Sequence, residues 1–407
     1  MKLHPKYIDL SLGRLEILLN KLGNPHLKLP TTIHIAGTNG KGSTLNFLRN
    51  ILINNNYSVH SYISPHLNNF SERIIINNKQ ISTIKLYYCL KYVKKINSNN
   101  PITFFEITTA AAFVLFSKYK ADFLLLETGL GGRLDATNII PKKLFSIITS
   151  ISIDHEEFLG KSLNKIAKEK LGIINNSKKI IIAKQQNSVS KFIVKKLKNK
   201  KNVIFFNKDF NYTKIKNNHF LFKLKKFEIK IRNPKLKGDH QLENASTALA
   251  SAITLKNMGY KINNHSFNKS VLNTEWPGRL EFVKYKNKII ILDGSHNLSG
   301  AKKLNYFLKK NKIKPNVVFG MLNNKKIFEF LKEIKNNINI VFPIKIPNEK
   351  NAFTVSEIQL STKKLNLKYI TKDNLKDINK DILKRSNKYI LVTGSLYLVG
   401  KLREKYL

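Results

Sequence analysis

The sequence predicts an α/β protein of two domains: an amino-terminal domain with a P-loop-type, doubly wound, mainly parallel sheet over residues 1–277, and a smaller Rossmann-like α/β domain over 278–407. Three observations lead there. The 407 residues far exceed the roughly 150 that one core usually organises. Short apolar runs suited to buried strands alternate with helical patterns, as in parallel sheets covered on both faces. A β-rich segment, TTIHIA at 31–36, runs straight into Gly37-Thr38-Asn39-Gly40-Lys41-Gly42-Ser43 and then into a helical TLNFLRNILINN. Strand, glycine-rich loop and helix in that order form the phosphate-binding entry of an α/β fold.

In chain order, Leu12, Leu15, Leu18, Leu19 and Leu22 have helical spacing, and Gly23-Asn24-Pro25 stops that helix. After the glycine-rich loop, strands are expected at 59–64 (VHSYIS), 121–127 (ADFLLLE) and 144–153 (LFSIITSISI), with TTAAAFVLFSKY as a helix before the second of them. From about 190 to 235 the chain is lysine-dense, and NHFLFKLKKFEIKI reads as a peripheral antiparallel hairpin. A helix from Gln241 ends at Gly259, and the turn Trp276-Pro277-Gly278 marks the domain boundary. Beyond it, strands at 288–292, 316–319, 339–343 and 389–393 alternate with helical patterns, which predicts the second doubly wound sheet.

Composition narrows the function classes. Lys and Arg number 72 against 26 Asp and Glu, a formal net charge of +46, which in general draws polyanions. Only eight of those cations are arginines, whereas base and phosphate readers lean on the guanidinium fork. Helix-turn-helix, zinc and RNP-like signatures are absent from the sequence, so the charge reads as a solvated lysine-rich exterior and a nucleic-acid-binding ATPase is the lesser alternative. Cys89 is the only cysteine, which leaves no internal disulfide and no thiolate metal cluster. No apolar run approaches the roughly 18 residues of a membrane span, so a cytoplasmic protein with no membrane partner is expected.

The chemistry starts at the loop. Thr38, Asn39, Gly40, Lys41, Gly42 and Ser43 supply backbone N–H groups at a helix start, where exposed donors and the helix dipole favour phosphate, and Lys41 is the candidate for the outer phosphates. Ile35 stands where the general G-x-x-x-x-G-K-[ST] pattern has its first glycine. GTNGKGS after IHIA resembles the form of this loop in the folylpolyglutamate synthase/dihydrofolate synthase branch of the Mur ligases. Nine further segments resemble that family in order: YISPHLNNFSERIII (62–76), ETGLGGRLDATN (127–138), TSISIDHEEFLG (149–160), IAKEKLGII (166–174), DHQLEN (239–244), EWPGRLE (275–281), LDGSHN (292–297), FGML (319–322) and TGSLYLV (393–399). Mur-type peptidoglycan ligases share the fold, but the GTNGKGS, SPHL and GLGGRLDATN segments favour the folate branch.

The resemblance implies an ATP-dependent ligase that phosphorylates a carboxylate of dihydropteroate or of a folate such as tetrahydrofolate, and lets the amine of L-glutamate displace the phosphate. It implies a monomer, ATP and two Mg²⁺ ions as cofactors, with K⁺ as a further ion. Ser64 and Glu127 would serve the first magnesium, and His155 and Lys170 would position the second, Lys170 as a CO₂ adduct that turns an ammonium into a metal-binding anion. Lys41, His155, Lys170 and Arg279 are thus the catalytic candidates, with Asn244, Arg279 and Asp293 added to the nucleotide contacts. Domain closure would bring Arg279 to the phosphates held by Lys41 and exclude water. For the pteridine-bearing acceptor the candidates are Ser64, Pro65 and His66, Phe104 and Phe105, and the loop at Arg133, Leu134 and Asp135; for glutamate they are His296 and Ser395.

Overall fold

The computed structural model describes residues 9–372 and 374–406. The chain divides into two compact units: one runs through Lys235 and includes Leu242–Thr274, and the other joins Leu236–Gln241 to the chain from Glu275 onward.

The first unit is built on an eight-stranded sheet of β1 (Thr31–Ala36), β2 (Val59–Tyr62), β3 (Ile74–Ile76), β4 (Lys79–Gln80), β5 (Phe123–Glu127), β6 (Lys143–Ile148), β7 (Ser177–Ile182) and β8 (Val203–Phe205), in the order β4-β3-β2-β5-β1-β6-β7-β8. The pairs from β2 through β8 are parallel, and only β3 and β4 add antiparallel edge pairing. β1, β5 and β6 are buried along nearly their whole length, as the continuous apolar runs require of strands covered on both faces.

One face carries the helices Gly13–Lys21, Thr83–Asn97 and Phe104–Lys118, which pack Leu15, Leu86, Phe113 and Phe116 over Leu124 and Leu126. The middle member of that layer, Phe104–Lys118, is apolar almost all round, because it is buried on several sides. It starts at a capping box in which Thr103 and Glu106 exchange hydrogen bonds. Glu106, which has no defensible metal role in the sequence, also takes the Arg14 guanidinium at 3.1 Å. The other face carries Leu163–Leu171 and Asn187–Leu197, with Ile166, Val189 and Ile193 on Ile148, Ile180 and Ile182.

Three elements differ from the sequence expectation. The run at 144–153 is a strand only to Ile148; Thr149 makes the last bond to β1, from its N–H to Ala36 O at 2.8 Å, and the chain then turns over the neighbouring loop. The 59–64 run likewise stops pairing at Tyr62. The lysine-dense stretch contains the helix Asn187–Leu197, the eighth strand of the main sheet, and a three-stranded meander of β9 (Phe210–Ile215), β10 (His219–Leu224) and β11 (Phe227–Arg232), so the hairpin gains a third strand.

The second unit has six strands, β12 (Glu281–Tyr285), β13 (Lys288–Leu292), β14 (Asn316–Phe319), β15 (Ile340–Pro343), β16 (Lys368–Tyr369) and β17 (Tyr389–Thr393), in the order β12-β13-β17-β14-β15-β16. β12 is the one antiparallel member. Its core gathers Leu304, Leu308, Phe319, Phe330, Leu331 and Ile358.

Candidate active site

Parallel strands all end on one edge of a sheet, and loops leaving neighbouring strands there converge. β1 sits between β5 and β6, and β5 between β1 and β2. The segments that leave these four strands hold the glycine-rich loop after Ala36, Ser64 after Tyr62, Glu127 at the end of β5, and the Thr149–His155 stretch after Ile148.

The glycine-rich loop is latched by its neighbour. Thr38 and Asn39 donate their N–H groups to Ser150 O at 2.9 and 3.2 Å, and Thr38 Oγ1 and Ser152 N–H lie 3.0 Å apart. Gly37 sits at φ +151°, and a Cβ there would meet Thr149 Oγ1 at 1.9 Å; Gly40 sits at φ +87°, and a Cβ there would meet Asn244 Oδ1 at 2.4 Å. Both positions need glycine for conformation and for space. The second contact puts Asn244, on the helix His240–Asn257, directly against the loop. Gly37→Ala is expected to cost about 1–3 kcal/mol of stability through strain and to raise the KM for ATP about tenfold or more; thermal melts with and without ATP, alongside ATP titration of the rate, check it.

Two lysines converge on one carbonyl. Lys41 Nζ donates to Gly37 O at 3.2 Å and to Thr38 O at 3.4 Å, and stands 3.9 Å from Glu127 Oε1. Lys170, from the helix Leu163–Leu171, donates to the same Gly37 O at 2.9 Å. Burial, and then the Lys41 ammonium, push the Lys170 amine down to about 7 against the opposing pull of Asp154 and Asp135. A large part of Lys170 is therefore an uncharged amine near neutrality, the form able to capture CO₂. A carbamate nitrogen keeps one N–H, which can still serve Gly37 O.

The Glu127 carboxylate accepts the Ser64 N–H at 3.3 Å, while the buried Ser64 hydroxyl oxygen has no hydrogen-bond partner. An orphaned buried oxygen beside a carboxylate suits a hard cation. Among the described residues no group of three His, Cys, Asp or Glu side chains is preassembled for a metal. An ion here would draw on one carboxylate and a hydroxyl, leaving its other positions for phosphate oxygens and water, the habit of magnesium. His155 adopts a left-handed conformation at the start of a short helix, and its N–H is held by Asp154 Oδ1 at 3.0 Å.

The acceptor candidates fall into two groups. His66 Nδ1 accepts from Arg73 Nε at 3.0 Å, and the Arg73 guanidinium lies 5.0 Å over the Phe70 ring and 5.9 Å from that of Phe104. Burial and then Arg73 lower His66 to about 4, so its ring is neutral. Pro65 beside it is exposed. Phe105 stacks on Tyr62 at 6.0 Å between centroids. Phe104 and Phe105 are both half-buried, partly serving the core and partly open. In the loop after Glu127, Arg133 is exposed and paired with Glu169 at 3.1 Å, Leu134 is half-buried, and Asp135 is buried with its carboxylate turned onto loop N–H groups.

In the second unit, Asp293 and His296 follow β13 and Ser395 follows the adjacent β17. Asp293 accepts the N–H groups of Leu280 and Ser295 at 3.1 Å each, which orders the turn beside Arg279; His296 Nδ1 meets Gly294 O at 3.0 Å, and Ser395 Oγ accepts Tyr397 N–H at 3.2 Å.

Comparison with known proteins settles the family. Residues 35–252 match the Mur ligase middle domain, and residues 279–405 match the dihydrofolate synthetase C-terminal domain. The chain belongs to the dihydrofolate synthase/folylpolyglutamate synthase family of Mur ligases. The dihydrofolate synthase/folylpolyglutamate synthase of Bacillus subtilis is 32% identical over 97% of this chain and 94% of its own length, and that of Buchnera aphidicola (subspecies Baizongia pistaciae) is 35% identical over 86% and 80%. Among solved structures, Escherichia coli FolC in complex with DHPP and ADP superposes with a TM-score of 0.87 at 26% identity, covering 99% of this chain and 95% of that one. The Thermotoga maritima folylpolyglutamate synthase gives 0.82 at 32%, covering 98% and 94%. The chain is thus an ATP-dependent, amide-bond-forming folate ligase. No helix among the described residues is long and apolar enough to cross a membrane.

Sequence reasoning missed the Ser150 latch and the Arg73–His66 pair, and it named Asn244 without its contact to Gly40. The latch and the Asn244 contact join segments far apart in the chain, while Arg73 and His66 lie seven residues apart across a stretch with no regular periodicity to announce the pair.

Proposed function

We propose that this dihydrofolate synthase/folylpolyglutamate synthase adds L-glutamate to dihydropteroate and to tetrahydrofolate, in the cytoplasm and as a monomer, using ATP, two Mg²⁺ ions and a supporting K⁺. The observation that carries the site assignment is the convergence of Lys41 and Lys170 on the Gly37 carbonyl, beside Glu127 and the unpartnered Ser64 hydroxyl.

In this reading the N–H groups of Thr38 to Ser43 cradle the nucleotide phosphates and Lys41 neutralises the transferring one, with Asn244, Arg279 and Asp293 as further nucleotide contacts. Ser64 with Glu127 would hold the first ion, and His155 with carbamylated Lys170 the second. Bound there, the ions would supply charge neutralisation for the phosphates and the developing acyl phosphate. The acceptor carboxylate attacks the γ-phosphorus of ATP and ADP departs. The glutamate amine, oriented by His296 and Ser395, then attacks the acyl carbon and phosphate leaves with the bonding pair, the amine losing a proton to form the amide. Pro65, neutral His66, Phe104, Phe105, Arg133, Leu134 and Asp135 surround the pteridine-bearing end, where aromatic faces with a polar rim suit a heteroaromatic ring.

The test is ADP release by purified protein with ATP, magnesium and L-glutamate, offering 7,8-dihydropteroate and tetrahydrofolate separately and weighing the products. Turnover on both is expected. Turnover on one reduces the enzyme to a single activity, and glutamate-independent ATP hydrolysis with neither product overturns the substrate assignment.

A further inference from the structure

Beneath the loop that follows Glu127 lies a buried file of three side chains. His34, fully buried in the middle of β1, brings Nε2 to 2.7 Å from Thr137 Oγ1, and Thr137 donates its hydroxyl to Asp135 Oδ1 at 2.5 Å. Counting hydrogens sets the direction. The same Oδ1 accepts Thr137 N–H at 3.0 Å and Oδ2 accepts Leu130 N–H at 2.7 Å, so the carboxylate faces donors on both oxygens and is held as an acceptor. Thr137 has one hydroxyl hydrogen, and it goes to Asp135. The Thr137 oxygen is then left to accept from His34, which must carry its proton on Nε2. His34 Nδ1 is buried with no hydrogen-bond partner, tolerable for a bare ring nitrogen and costly for an N–H. Burial and the Lys143 ammonium both disfavour a charged His34. Burial also raises the Asp135 carboxyl, and the Thr137 hydroxyl is foremost among the hydrogen bonds that oppose the rise.

The file ends at an aromatic wall. Asp135 fixes Leu130; the preceding residue, Gly129, lies so close under Phe105 that a Cβ there would meet its ring atoms at 2.5–2.9 Å. Phe105 also stacks on Tyr62 at 6.0 Å between centroids. We infer that His34 and Thr137 are positioning residues for the pteridine-bearing acceptor: the donor file running from His34 through Thr137 keeps Asp135 as a hydrogen-bond acceptor and seats Gly129 beneath Phe105. The inference rests on the reading above that Phe105 and Asp135 face that acceptor.

Thr137→Val keeps the shape and removes the hydroxyl, and Thr137→Ser restores it. With either acceptor, the valine variant is expected to raise the acceptor KM roughly tenfold, the effect of a hydrogen bond to a charged group, with the KM values for ATP and glutamate within about twofold, and the serine variant is expected to recover most of the loss. An equal rise in all three KM values, or no rise, would overturn the assignment. Because exchanging a buried hydroxyl for a methyl can unfold a protein, ¹⁵N-histidine spectra of the wild-type enzyme provide a second measurement: His34 protonated on Nε2 and bare on Nδ1 supports the file, and the opposite tautomer overturns it. Absence of glutamate-dependent turnover on either acceptor would defeat the substrate reading instead, with the His34 tautomer still readable.

Discussion

Lys170→Ala is expected to lower glutamate ligation by about 1,000-fold, on the scale of losing a charge-stabilising group aimed at the transition state. The side chain is buried, ends on Gly37 O at 2.9 Å and has its amine pushed down to about 7. Two roles fit those facts and they differ in sign. As an ammonium, Lys170 would add to the cationic end of Lys41 and brace the loop. As a carbamate it would present an anion there, balance Lys41 and hold a metal. Small molecules admitted to the vacated space separate the two: formate or acetate restoring activity supports the carbamate, while methylamine or ethylamine restoring it supports the ammonium. In the wild-type enzyme, ¹³C-bicarbonate is expected to give a carbamate resonance that disappears in Lys170→Ala, and exhaustive CO₂ removal is expected to lower the rate reversibly. Rescue by amines with no such resonance would refute the carbamate. Lys170→Arg, which keeps a cation and cannot form the adduct, should be as inactive as the alanine variant.

What could be read from the sequence follows from how local each signal is. β1 and β5 declare themselves because strands buried on both faces are apolar without interruption, and the loop between β1 and its helix because Gly37 and Gly40 stand where side chains cannot. The strand predicted through residue 153 ends at Ile148 because apolar residues continue past the last ladder bond: Ile151 is buried against a helical layer and pairs with no strand. Periodicity cannot distinguish those two fates. Lys170 illustrates a stronger limit. Its helix carries Lys165, Lys168 and Lys170, and only Lys170 lies inside, which the run IAKEKLGII does not announce without the family resemblance. His34 and Thr137 are 103 residues apart; a histidine inside TTIHIA reads as an ordinary buried residue until the fold brings a hydroxyl to it. Glu106 does structural work of the kind a carboxylate in a helix's first turn commonly performs, closing a capping box and taking Arg14.

Glu127→Gln separates a structural carboxylate from a metal-binding one. The amide keeps the volume, and its oxygen can still accept the Ser64 N–H now held at 3.3 Å. What it loses is charge: the attraction to Lys41 at 3.9 Å and the ability to anchor a hard cation beside the Ser64 hydroxyl. If Glu127 only ended β5 and braced the neighbouring turn, the variant would fold and work within about twofold of the wild type, because the geometry survives. If it anchors the ion, divalent-metal affinity is expected to fall by at least about 10- to 100-fold, the loss that disturbing even an outer-shell partner of a metal ligand brings, and kcat at saturating ATP by about 100-fold or more. Mn²⁺ titration in the presence of a non-hydrolysable ATP analogue measures the first, and steady-state turnover over a range of Mg²⁺ the second. Partial recovery at high Mg²⁺ would place the defect in binding. The same affinity with a lost rate would instead assign Glu127 to balancing Lys41, leaving the ion to the Ser64 hydroxyl, phosphate and water.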